Sequence, residues 1–163
     1  MSDQTFLGEE FLTWLWFRRE TGGGEYKLGD RTVEVAIDDF LAFAPSANET
    51  EQTLRKGSPT RTAEARSALA TGRCVRSAKL MVASDDQHWS LVLDGPTMQL
   101  RSVRQGNEED GETPRDRSVA RMSGFIEVYE IICGVYEVFL RDRLRSDYLG
   151  TSGEAQAQWM AQG

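Results

Sequence analysis

Seven basic side chains, Arg55, Lys56, Arg61, Arg66, Arg73, Arg76 and Lys79, crowd into one short stretch of the chain. Clustered guanidinium and ammonium groups suit one kind of chemistry, contact with phosphate oxygens. Each such contact releases counterions and steepens the salt dependence of binding by about 0.9 in log–log slope. It fixes position without reading nucleotide sequence. On a strand beginning near Arg73, alternation sets Arg73, Val75, Ser77 and Lys79 on one face, with Cys74, Arg76, Ala78 and Leu80 on the other. Arg73 and Lys79 are then expected to project together toward a phosphate track. The competing reading is ordinary solvated charge.

The other residue types that do chemistry lack partners at useful spacing. The single histidine, His88, opens a strand beside Trp89, with no metal-ligand pattern near it in sequence. Two cysteines, Cys74 and Cys133, sit in apolar surroundings and read as reduced, buried thiols. Asp38-Asp39 and Asp85-Asp86 fall where hairpins must turn, and turn chemistry accounts for them. Gly22-Gly23-Gly24 follows a helix rather than a strand, and Lys56-Gly57-Ser58 lacks the upstream glycine of a phosphate loop. The expectation is no catalytic residue, no metal and no cofactor. An enzyme would need a pocket converging on His88, Asp85 and Asp86.

The elements that position these groups are legible from periodicity. Leu7, Phe11, Trp14 and Leu15 recur at helical spacing over Phe6 to Glu20, and the three glycines end the helix. A strand pair follows over Tyr26 to Ile37, then the apolar run Phe40 to Phe43 and a further strand at Thr53 to Arg55. Thr62 caps a short helix to Thr71. Val75 to Val82, His88 to Leu93 and Met98 to Val103 form an antiparallel meander. Residues 105–117 read as an acidic linker. A long helix then runs from Ser118 to Ser146, with Val119, Met122, Ile126, Tyr129, Cys133, Tyr136 and Leu140 on a 3-4 spacing. It is apolar around most of its circumference, so it must meet the first helix or a second copy of the chain. The tail from residue 149 to 163 is expected to fray around one anchor, Trp159.

The class is therefore α+β: an N-terminal helix, an antiparallel sheet with a short inserted helix, and a long C-terminal helix packed on the sheet. One domain fits 163 residues. Trp14, Trp16, Tyr136 and Phe139 have two readings, as core anchors and as interface residues of a homo-oligomer. No segment is apolar enough to span a bilayer and no secretory start is present. The expected compartment is the cytoplasm. The charge is uneven: residues 53–104 carry +5, the segments before and after carry −7 and −5, and the whole is −7. A basic middle can attract phosphate although the chain is acidic.

Three stretches give the chain a family likeness. The first is Leu12-Thr13-Trp14-Leu15-Trp16-Phe17-Arg18. The second is Thr62 to Ala65 with Leu69-Ala70-Thr71-Gly72-Arg73-Cys74-Val75, continued by Ala78-Lys79-Leu80, His88 to Leu93 and Met98-Gln99-Leu100. The third is the acidic linker before the closing helix. In these, the chain resembles the C-terminal half of the bacterial recombination-associated protein RdgC family, over most of residues 6–145. The resemblance implies sequence-independent binding of double-stranded DNA as a nucleoid-associated homodimer, modulation of RecA-dependent recombination, and no enzymatic activity. The second reading is a protein-interaction or assembly module without DNA binding.

Overall fold

The computed structural model describes residues 3–45, 51–106 and 113–162, with side chains in the first helix from Gly8 onward. The order is α1 (Asp3–Glu20), β1 (Glu25–Leu28), β2 (Arg31–Phe43), β3 (Gln52–Arg55), α2 (Ala63–Ala70), β4 (Val75–Ser84), β5 (Gln87–Asp94), β6 (Gln99–Gln105), α3 (Pro114–Arg143) and α4 (Ser152–Ala161). The fold is α+β, as the periodicity predicts. The antiparallel sheet runs β1-β2-β4-β5-β6, with β3 pairing the second half of β2.

Helix α1 is the centre of the core. Phe11, Leu12, Trp14, Leu15 and Trp16 are all buried, so the helix is enclosed on more sides than one sheet face provides. The sheet covers one side through β4 and β2, and α3 and α4 close the rest. Trp14 and Trp16 are core residues and not interface residues, each only 1% exposed. Phe139 and Tyr136 of α3 pack on Phe11 at ring-centroid distances of 5.5 and 5.1 Å. Phe139 is buried, so it is not available as expected to a second molecule; Tyr136 is half-buried.

Two details lock α1 to the sheet. Gly8 meets Gly95, in the β5–β6 turn, backbone to backbone: a methyl on Gly8 would lie 1.9 Å from the Gly95 carbonyl oxygen. Further along, the buried Val75 N–H donates to Thr13 Oγ1 at 2.9 Å. Thr13→Val keeps the shape but removes that acceptor, and an orphaned buried N–H costs roughly 1–3 kcal/mol. Chemical denaturation should show this loss in the valine variant, with Thr13→Ser close to wild type. A fully stable valine variant would show that the bond contributes nothing.

Both bulges in the β2–β4 pairing depart from the sequence reading. Asp38-Asp39 is not a turn; β2 continues through it. Ile37 pairs with Leu80 and Leu41 with Ala78, so Asp38, Asp39 and Phe40 all stand opposite Lys79. Nearer its start, β4 is bulged at Arg76, because Phe43 pairs with Val75 but Ala42 with Ser77. The extra residue reverses the pleat. Val75 joins the core beside Ala78, Leu80 and Val82, while Ser77 and Lys79 take the opposite face. The shared face expected for Arg73, Val75, Ser77 and Lys79 therefore does not form.

Helix α3 starts earlier than read, capped by Thr113, whose Oγ1 accepts from Asp116 N–H. The linker expected at 105–117 is thereby shortened, and its residues 107–112 lie outside the described ones. The tail read as fraying contains α4. Its Trp159 ring stands edge-on to Trp16 at 5.4 Å and tilted on Phe17 at 5.6 Å. Among the described residues no helix is long and apolar enough to cross a membrane.

Candidate functional site

The seven expected phosphate-binding residues part into three groups. Arg66, on α2, is held by Glu20 at the end of α1: its Nη2 donates to both carboxylate oxygens at 2.6 and 2.7 Å. Its guanidinium also lies over the rings of Trp16 and Trp159. Glu20 accepts from Trp16 Nε1 and Trp159 Nε1 as well, at 2.8 and 2.9 Å. Burial pushes the Glu20 carboxyl up, but these donors outweigh it and hold the group below its ordinary value. This is a structural hub tying α1, α2 and α4 together.

Arg73 is turned to the backbone, where Nε and Nη2 donate to the Ala44 carbonyl at 3.2 and 3.0 Å and Nη1 to Gln52 Oε1. Arg76, at the β4 bulge, lies near Glu9 of α1, opposing the upward push of burial on that carboxyl. Arg61 is exposed at the end of a 3-10 turn, Pro59–Arg61. Arg66, Arg73 and Arg76 do not join Lys79 on one face.

What does converge lies on the face of the sheet without an α-helix. Pairing sets Arg55 opposite Phe40, Lys79 opposite Val92, and Val92 opposite Arg101. With Lys79 facing the β2 bulge, these side chains form one row across β3, β2, β4, β5 and β6. Together with Asp39, Lys56 and Ser102 they line a concavity of about 470 Å³. Three of the expected residues, Arg55, Lys56 and Lys79, belong to it, and the sequence reading missed Arg101. No family model, curated protein or solved structure matches the chain.

The electrostatics of the concavity are graded. Lys79 Nζ is 2.9 Å from Asp38 Oδ2 and 3.1 Å from Asp39 Oδ1, and hydrogen bonding to Asp38, then Asp39, raises its pKa. The bulge creates this clamp by bringing both carboxylates to one lysine. Arg55 lies over the Phe40 ring with its guanidinium carbon 5.2 Å from the centroid. Among the described residues no carboxylate pairs with Arg55, Lys56 or Arg101. Two residues of the rim hold unusual backbone: Lys56 at φ 72° and Ser102 at φ 53°. Residues with side chains occupy this region at a cost of order 1 kcal/mol each, and such positions gather at ligand sites. Ser102 is part of a bulge in β6, between the pairs Ser90–Arg104 and Val92–Arg101.

The remaining candidates stay apart. Asp85-Asp86 is the β4–β5 turn, with Asp85 at φ 52°, and His88 is exposed on β5. Among the described residues no three His, Cys, Asp or Glu side chains are placed to hold a metal ion. Cys74 and Cys133 are free thiols, both half-buried rather than fully enclosed.

A second surface stands out on α3. From Val128 onward the helix buries Val128, Ile131, Ile132, Val135 and Phe139. Over its first half and as far as Tyr129 it leaves Val119, Met122, Phe125, Ile126 and Tyr129 at 42–68% exposure. Large apolar side chains in a contiguous ridge of this kind mark an interaction surface.

Proposed function

We propose that this domain is a non-enzymatic assembly module that pairs with a second copy of itself through the first half of α3. The observation that carries this reading is the exposed ridge. Val119, Met122, Ile126 and Tyr129 follow the 3-4-3 spacing of a two-helix seam. Charge favours a second copy over an unrelated partner. Arg115 and Arg117 lie at one end of the ridge and Glu130 at the other, while Glu127 is already paired with Arg31. Antiparallel pairing about Gly124 sets Val119 opposite Tyr129 and Met122 opposite Ile126 of the second copy. It also brings each basic end toward Glu130 of the second copy. A two-fold contact of this sort is self-complementary.

Light scattering across a concentration series tests it. Wild type is expected to run as a dimer at concentrations on the order of 100 µM. Met122→Glu with Ile126→Glu should weaken pairing at least about 100-fold, because each introduced carboxylate would be buried unpaired. The melting temperature of the monomer should not fall, since both side chains are already exposed. A monomeric wild type at that concentration would end this reading.

A second reading, DNA association with modulation of RecA-dependent recombination, comes from the family resemblance. In its favour is the convergence of Arg55, Lys56 and Lys79 with Arg101 on one face. It requires duplex binding at about 50 mM salt that falls steeply as salt rises.

A further inference from the structure

We propose that the cross-strand row Arg55, Phe40, Lys79, Val92 and Arg101 binds a compact phosphate-bearing ligand with a flat ring, of nucleoside 5′-diphosphate size. This inference stands apart from self-association through α3, which uses another surface.

Shape is the first argument. The cations surround a single concavity of about 470 Å³, within the roughly 300–1,000 Å³ typical of small-ligand sites. A duplex needs cations spread along a track, and Arg66, Arg73 and Arg76, which would have extended one, are engaged elsewhere. Charge is the second. Among the described residues Arg55, Lys56 and Arg101 have no carboxylate partner, whereas Asp38 and Asp39 already neutralise Lys79. Those two carboxylates repel a long polyanion laid over the row, whereas Arg55 and Lys56 at one end of it and Arg101 at the other remain open to a compact anion. Chemistry supplies the third. Phe40 and Val92 interrupt the cations with apolar surface, and the Arg55 guanidinium over Phe40 offers a flat cationic plane. Arginine planes and aromatic rings stack on nucleobases. A bare anion would have no use for this part of the row. Lys56 and Ser102, on the two sides of the rim, both hold positive φ.

Isothermal titration of the full chain with ADP, adenosine, inorganic pyrophosphate and a 20-base-pair duplex tests this. Saturable ADP binding is expected, with adenosine at least about tenfold weaker, for loss of the charged contacts, and pyrophosphate also weaker, for loss of stacking. Arg101→Ala and Arg55→Ala should each lower ADP affinity about tenfold or more while leaving the melting temperature unchanged, because both side chains are exposed. Absence of ADP binding at millimolar concentration would overturn the proposal. So would pyrophosphate binding as tightly as ADP, variants that bind like wild type, or duplex binding that ADP does not displace. Oligomer state is read separately, so failure here leaves the α3 reading intact.

Discussion

Gly8→Ala is expected to destabilise the protein by at least about 3 kcal/mol, the upper range for overpacking, because no side chain can move out of the way. The added methyl would sit 1.9 Å from the Gly95 oxygen and 2.5 Å from its carbonyl carbon. Those atoms belong to the turn between β5 and β6. Gly95 also donates its N–H to the Arg76 carbonyl at 2.8 Å, which fixes its distance from β4. Relief therefore requires α1, the central helix, to lift from the sheet. The sign is diagnostic, since glycine to alanine within a helix ordinarily gains up to about 1 kcal/mol. Gly95→Ala meets the Gly8 carbonyl oxygen at 2.5 Å and should cost a similar amount. Gly150→Ala is the control, with nothing within 4 Å of the new methyl. Urea titration of the three variants measures all of this. A Gly8→Ala protein as stable as wild type would mean that α1 does not approach the turn so closely.

Much of the architecture was legible because burial imposes period. The α2 cap at Thr62, the meander from β4 to β6 and the existence of the first helix all follow from apolar spacing and turn residues. The two bulges between β2 and β4 were not legible, and their effects reach the site. An alternation rule assumes an unbroken pleat, so one extra residue at Arg76 reverses every later assignment on that strand. Similarly, Asp38-Asp39 resembles a turn in sequence, yet the strand continues and the pair clamps Lys79. Arg101 was missed for a different reason. It lies far from Arg55 in sequence and joins the same row only through four strand pairings. On α3 the seam spacing was visible along the helix. Which half the core would cover was not, because that depends on where the sheet and α1 end.

Glu20→Ala should cost about 2–4 kcal/mol at neutral pH, since it removes an acceptor shared by three donors and leaves Arg66 unpaired. Trp16 is 1% exposed, so its indole N–H cannot find water without moving the core. Trp159 loses the bond that joins α4 to the end of α1, and amide exchange within α4 should accelerate more than elsewhere. The pH dependence follows from the direction of the carboxyl's shift. Glu20 is held below its ordinary value of 4.5 in the folded chain, so its contribution is complete above that value. The contribution is lost as pH falls through the lower, folded-state pKa. The stability gap between wild type and Glu20→Ala should accordingly be widest near neutrality and narrow on acidification below the ordinary value of 4.5. Glu20→Gln provides the discriminating case. It retains one carbonyl acceptor but turns an amide toward donors, and should fall between wild type and alanine with no such pH dependence of its own. A gap that stays constant from neutral pH into acid would show that packing, and not the carboxylate, holds α1, α2 and α4 together.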